Sequence, residues 1–279
     1  MGPRITTLLC LLSLSAAAQP ETRETLLARI GRQTGRGFST LTRDHALLWS
    51  SPFRGGRSAL LTAAPIAAAT ALAFKLDRPI ARRLPNTPDQ IRYSKAVSAA
   101  GTYYTLGATA GAFVGIGAIA RDRRAVETGM LAAQAIAHSE SIAQMLKFAG
   151  GRERPDYGDA IRGRFWHGQQ SFPSGHAMGT WAVATIVSRE YHDNKWIRYG
   201  AFAFPVAISA SRMGAQRHFL SDVVAGGSIG YLIGGWLYNR HHDPMLGGAP
   251  VRRRSLAIRP DVQFDPKTRS VGVAVHITR

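Results

Sequence analysis

Apolar positions along this chain gather into six stretches of helical length: Ser58 to Phe74, Val97 to Ala120, Ala125 to Phe148, His176 to Val187, Tyr199 to Ala210 and Asp222 to Tyr238. Ala dominates them and Gly recurs throughout, the composition of helices that approach one another closely. Polar punctuation separates them: Arg-Leu-Pro-Asn around Pro85, Arg-Asp-Arg-Arg at 121–124, a Gly/Arg/Pro segment over 149–173, and Arg189 to Arg198. The period then changes. Leu256, Ile258, Val262, Phe264, Val271, Val273, Val275 and Ile277 alternate with other residues, and Asp265-Pro266-Lys267-Thr268 offers a turn between the two runs, which predicts a β-hairpin. The pattern as a whole predicts an all-α six-helix bundle over 58–240, followed by a linker and β-hairpin tail over 241–279.

The first residues follow a different rule. Arg4 precedes a nearly continuous apolar run, Ile5 to Leu14, and Ala16-Ala17-Ala18 stands before Gln19. This reads as a signal peptide over 1–18. Residues 19–57 are mixed and polar and read as an N-terminal arm. Export is the expectation, and the single cysteine, Cys10, would leave with the signal. One cysteine also excludes an intrachain disulfide scaffold.

Hydropathy adds a membrane question. The second stretch has the roughly 20 residues that a spanning helix needs. The third carries Glu127, Gln134, His138, Glu140 and Gln144, which in a membrane would have to face protein. Mean hydropathy over the chain is only -0.08. The expectation is an embedded bundle, with a soluble exported one as the alternative. Five crossings, with the Pro65-containing stretch packed on the outer side, place the 149–173 loop outside. They place Arg121 to Arg124 and Arg189 to Arg198 inside, as positive-inside bias prefers.

Composition narrows the class. With 279 residues, 45% hydrophobic and 19% charged, the chain is neither disordered nor a coiled coil nor collagen-like. Its net charge is +18, and Lys supplies only five of the 35 basic residues. The planar fork of Arg suits phosphate, anionic lipid or nucleic acid, although an Arg-rich source genome would give the same surplus.

Three clusters carry candidate chemistry. Lys147 precedes Arg154-Pro155; Pro173-Ser174-Gly175-His176 opens an apolar run; Ser211-Arg212 precedes His218 and Asp222. Spaced i, i+4, His218 and Asp222 share a face on a helix. The carboxylate can then fix a tautomer and leave the other ring nitrogen nucleophilic. Taken alone, such a pair is more often a surface or capping contact. Pro-Ser-Gly marks a helix start, whose free N–H groups suit an anion, and Gly175 lets backbone come close. Taken alone, it is an ordinary Ser N-cap. Lys147, Arg154 and Arg212 together match the charge of a phosphoryl group; taken singly, each is a solvated loop cation.

In this order the clusters resemble the signature of the type 2 phosphatidic acid phosphatase family, shared with bacterial non-specific acid phosphatases and vanadium haloperoxidases. All eleven fixed positions are present: Lys147, Arg154, Pro155, Pro173, Ser174, Gly175, His176, Ser211, Arg212, His218 and Asp222. The resemblance covers roughly 58–240. It implies that His218 attacks phosphorus to form a phosphohistidine, that Asp222 orients His218, and that His176 protonates the leaving alkoxide and then activates water. It further implies that Lys147, Arg154, Ser174, the Gly175 amide and Arg212 hold the phosphoryl oxygens, without a metal or other cofactor.

The expected activity is a metal-independent phosphatase for phosphate monoesters, with a lipid phosphate or polyprenyl pyrophosphate as substrate. It would sit in the inner membrane of a bacterial envelope, with its site facing the periplasm. The alternatives are a soluble periplasmic non-specific acid phosphatase and a vanadate-dependent haloperoxidase, for which the chain is short. Expected partners are a phosphorylated lipid or small phosphate ester and the membrane, and no nucleic acid. Four further features invite a reading. Glu140 and His138 could extend a polar stripe from Lys147. Trp166 and His167 could line a substrate mouth. Tyr103-Tyr104 read as interfacial anchors or as core, and His241-His242 as a solvated linker pair rather than metal ligands.

Overall fold

The structure, a computed structural model, describes residues 41–50, 56–156, 161–249, 257–265 and 270–278. The chain divides into two compact units, Met1–Ser51 and Pro52–Arg279. In the first, residues 41–50 form a helix (α1), within which Trp49 Nε1 donates to His45 Nε2 at 3.0 Å. The expected signal peptide over 1–18, and most of the expected arm over 19–57, lie outside the described residues.

The second unit is helical: α2 (Gly56–Arg83), α3 (Pro88–Ala99), α4 (Tyr103–Ala120), α5 (Arg123–Gly150), α6 (Gly175–Glu190), α7 (Lys195–Gly200), α8 (Ala203–Gly214) and α9 (Leu220–His241). The six expected helices are α2, α4, α5, α6, α8 and α9. What the pattern missed is α3 and the short α7. The apolar run from Val97 to Ala120 breaks at 100–102, because the Thr102 hydroxyl caps α4 by accepting from Thr105 N at 3.2 Å. Upstream, Thr87 caps α3 in the same way, with Pro88 in its first turn. Asp122 caps α5, accepting from Ala125 N at 3.1 Å, and α5 stops at Gly151, whose φ of 52° lies in the left-handed region. Past the helices, β1 (Ala257–Asp265) and β2 (Ser270–Thr278) pair antiparallel, Ala257 opposite Thr278.

The core is centred on α9, which packs on α6 above all and also on α2, α5 and α8. A glycine seam makes this possible. A Cβ at Gly226, Gly230 or Gly234 would collide with the carbonyl oxygens of Ser174, Met178 and Ala182, so the α9 backbone lies directly on that of α6. Spaced four apart, the three glycines fall on one helix face. Between α3 and α8, Ser98 Oγ and Ser211 Oγ share a hydrogen bond of 2.9 Å, which fixes the end of α8 that bears Arg212.

One expectation changes here and one open alternative closes. His241 and His242 are not a solvated linker pair: His241 ends α9, and His242 is its cap and is buried. Tyr103 and Tyr104 are exposed rather than core, their rings 4.1 Å apart. Among the described residues, one helical stretch, Pro88–Ala120, is long and apolar enough to cross a membrane; its most apolar 18-residue window has a mean hydropathy of 1.3 and is 17% buried. Large apolar side chains also stand exposed elsewhere, Leu61, Leu72 and Phe148 among them.

Candidate active site

The three motifs meet because four helix ends meet. Lys147 sits in the last turn of α5, after which Gly151 reverses the chain and the loop to Ser174 crosses back to start α6. Arg212 lies in the last turn of α8, a short link carries His218, and Asp222 falls in the first turn of α9. A cavity of about 150 Å³ opens here, lined by Tyr103, Glu140, Gln144, Lys147, Gly175 and His176. Lys147 Nζ stands 3.4 Å from where a Cβ on Gly175 would be, and Glu140 Oε2 stands 3.6 Å from it. Gly175 therefore leaves the space in which those two groups sit.

His218 is buried in the link between α8 and α9. Its Nδ1 lies 2.7 Å from the Ser171 carbonyl oxygen, an acceptor, which puts the ring proton on Nδ1 and leaves Nε2 with a lone pair. Asp222 Oδ2 lies 3.6 Å from the same nitrogen, an ion-pair distance rather than a direct hydrogen bond. Three other donors occupy the Asp222 carboxylate: Phe219 N at 2.8 Å, Ser171 Oγ at 2.5 Å and an Arg152 nitrogen at 2.5 Å. Ser171 thus touches both partners, giving its carbonyl to His218 and its hydroxyl proton to Asp222. Burial, and after it the Arg212 and Lys147 charges, outweigh the opposing pull of Asp222 and hold the His218 imidazole down to about 4.

Cations converge on this point. Lys147, Arg154, Arg212 and His218 all act electrostatically on His176. Arg154 is held below the ordinary guanidinium range, first by burial and then by Arg217, with Asp156 and Asp222 opposing. Arg217 itself is paired with Asp156 at 2.8 Å. Among the described residues, none of Lys147, Arg154 and Arg212 makes an ion pair, and Arg212 Nε is buried without a hydrogen-bond partner. Such a cluster is complementary to a polyanion. Ser174 is fully buried, and its hydroxyl accepts from Ala177 N at 3.4 Å as the cap of α6, while its own N–H donates to the Asp222 carbonyl at 3.0 Å.

Sequence reasoning missed the residues behind the site. Arg152 is buried between Asp77 at 2.7 Å and Asp222 at 2.5 Å, and it also donates to Ser221 Oγ at 2.7 Å and to the Gly163 carbonyl at 3.1 Å. The rings of Phe74, Phe165 and Phe219 surround its guanidinium. Asp77 in turn accepts from Ser221 N and Oγ, tying α2 to the first turn of α9. An acidic residue one turn past an apolar stretch was the available signal for Asp77; for Ser171, which acts through its carbonyl, there was none. Of the proposed mouth residues, Trp166 is exposed and neither it nor His167 lines the cavity, and Glu153, held down to about 2 chiefly by Arg164, lies 3.9 Å from His167. Glu140 accepts from Gln144 at 2.5 Å beside Lys147.

Comparison with known proteins follows this geometry. The family model described as the PAP2 superfamily matches residues 128–245, a span that holds every motif residue from Lys147 to Asp222. A curated relative, the lipid A 1-phosphatase of Porphyromonas gingivalis, is 34% identical over 89 residues, 32% of this chain and 18% of that protein. The chain thus spans less than a fifth of that relative's length. Among solved structures, a transmembrane PAP2 type phosphatidylglycerolphosphate phosphatase from Bacillus subtilis is 18% identical, with a TM-score of 0.41, covering 72% of this chain and 94% of that one. LpxE of Aquifex aeolicus is 24% identical, with a TM-score of 0.45, covering 58% and 94%.

Proposed function

With residues 128–245 identified as a PAP2 superfamily segment, we propose that this chain is a metal-independent phosphatase that hydrolyses a lipid phosphate through a phosphohistidine on His218. The carrying observation is a buried imidazole with Nδ1 bonded to a carbonyl, set beside Lys147, Arg154 and Arg212, none of which makes an ion pair among the described residues. His218 Nε2 attacks phosphorus as the ester P–O bond breaks, and the departing alkoxide takes a proton from His176. Water, deprotonated by His176, then attacks the phosphohistidine; the N–P bond breaks, and inorganic phosphate and neutral His218 are restored. Lys147, Arg154, Ser174, the Gly175 amide and Arg212 hold the phosphoryl oxygens as charge builds on them. Asp222 stabilises the positive charge on His218 from 3.6 Å, and Ser171 holds the ring's orientation.

The lipid reading has its own support. An apolar groove of about 590 Å³ lies between α2, α6, α8 and α9, and its walls include Met213 and Leu220, which flank the segment bearing His218. Pro88–Ala120 and the other exposed apolar side chains suit a bilayer, and the curated relative is by name a lipid phosphatase. Positive-inside bias sets Arg121 to Arg124 at the inner face of the cytoplasmic membrane and the site at the periplasmic face.

The test compares substrates. Detergent-purified enzyme should hydrolyse long-chain phosphatidic acid in mixed micelles with a kcat/KM at least about tenfold above that for p-nitrophenyl phosphate, since remote binding energy is used in the transition state. A preference for the small ester would return the protein to the non-specific acid phosphatase alternative.

A further inference from the structure

A second cluster lies at the other end of the same helices. Glu127 is in the second turn of α5, Glu190 is the last residue of α6, and His242 caps α9. Along α6 this end is about 22 Å from Gly175, at roughly 1.5 Å per residue. His242 Nδ1 lies 3.0 Å from Glu127 Oε1 and 3.2 Å from Glu190 Oε1, and the three ligand atoms all fall within 4.8 Å of one another. We propose that Glu127, Glu190 and His242 form a zinc site that clamps these three helix ends together.

Four observations carry the assignment. One N–H shared between two carboxylates bonds each of them only weakly, whereas a cation can bind both fully. Glu190 is fully buried, and its second oxygen, Oε2, has no hydrogen-bond partner among the described residues. The Arg124 guanidinium, which acts electrostatically on Glu190, is engaged elsewhere: it bonds the Glu190 backbone carbonyl and pairs with Asp193 at 2.5 Å. Buried carboxylate of this kind is ordinarily paired or bound to a metal. Two helices, α6 and α9, end here and present their negative dipole ends to the cluster, which favours a cation.

Geometry and donor type select the metal. Zinc–nitrogen and zinc–oxygen bonds of about 2.1 Å in a tetrahedron give ligand separations of about 3.4 Å, within a few tenths of an ångström of the two separations from His242 Nδ1, 3.0 and 3.2 Å, while all three ligand atoms fall within 4.8 Å. Imidazole with two carboxylates is a borderline donor set that suits zinc better than calcium or magnesium. Tyr238 stacks on the His242 ring at 4.4 Å and holds it in place, and Asp243 N donates to Glu127 Oε1 at 2.7 Å, orienting that ligand in turn. In the bound form the ring keeps its one proton on Nε2, Nδ1 and the two Oε1 atoms ligate the ion, and solvent completes the fourth position. The inference is independent of the hydrolytic reading.

The test is zinc uptake by the full-length chain, purified in detergent, stripped with EDTA and titrated with ZnCl2 by calorimetry and thermal unfolding. Wild type should bind one equivalent that is lost in Glu190→Gln and in His242→Ala, and saturating zinc should raise its Tm by about 5 °C or more. No uptake by wild type, or uptake unchanged in both variants, would overturn the site and leave only a hydrogen-bonded triad. Should neither variant fold, Co2+ loaded into wild type decides: intense four-coordinate d–d bands are expected, and a weak six-coordinate spectrum overturns the proposal.

Discussion

The two ends of α5, α6 and α9 carry opposite chemistry. At one end, the N-termini of α6 and α9 meet Lys147, Arg154 and Arg212 around a buried imidazole. At the other, the C-termini of the same two helices meet Glu127 and Glu190 around His242. Helix α5 runs the other way, and its charges suit its own dipole, Glu127 near the N-terminus and Lys147 near the C-terminus. The charges at α6 and α9 are answered differently. The N-terminus of α9 carries Asp222 and that of α6 opens beside Lys147, whereas Glu190 sits at a C-terminus, where an anion is disfavoured without a cation beside it. The bundle's polarity therefore dictates which kind of ligand each end can take.

The sharpest way to break this contrast is one substitution at each end. His218→Ala should lower phosphate release on the order of 10⁴-fold or more, as loss of a nucleophile does. Glu190→Gln, at the far end, should leave turnover near wild type. Equal losses from the two would show that the ends are not chemically separate. Next in size is the buried support of the active end. Arg152→Met leaves Asp77 and Asp222 as unpaired buried charges, at a cost of about 3–5 kcal/mol. Thermal unfolding should register a fall of roughly 10 °C; a change within error would contradict the ion-pair account.

The smallest effect is a pH dependence. His218 has a folded pKa of about 4, below its ordinary 6.5. The unfolded chain therefore takes up the proton first as pH falls, and the stabilisation from a neutral His218, complete above pH 6.5, is lost between 6.5 and 4. Unfolding followed from pH 7 to pH 4.5 should show a shallower decline for His218→Gln than for wild type. Parallel curves would mean that the ring titrates normally.

How much of this was legible in the sequence varied with the physics involved. Ser174 announced its helix because Pro-Ser-Gly sets a capping oxygen just before a first turn, whereas Asp122 was legible only as part of a charged separator. The break before Tyr103 was hidden, since the apolar run continues through it and Thr102 alone marks it. The motif residues could be named from their spacing and from the family resemblance. Arg152 could not, because nothing in a Gly-Arg-Glu-Arg run distinguishes a buried arginine from a solvated one. Its partner Asp77 is 75 residues away. Likewise, His242 looks solvated until Glu127, 115 residues earlier, is brought against it.

The central claim is that the imidazole of residue 218 becomes covalently bonded to phosphorus. Rapid quench of enzyme mixed with a ³²P-labelled phosphate monoester tests it directly, in wild type and in a His176→Ala variant that cannot activate water. The account predicts acid-labile, alkali-stable label on His218, accumulating in the variant and absent from His218→Ala. Turnover by wild type without label in either enzyme, or label on another residue, would contradict it.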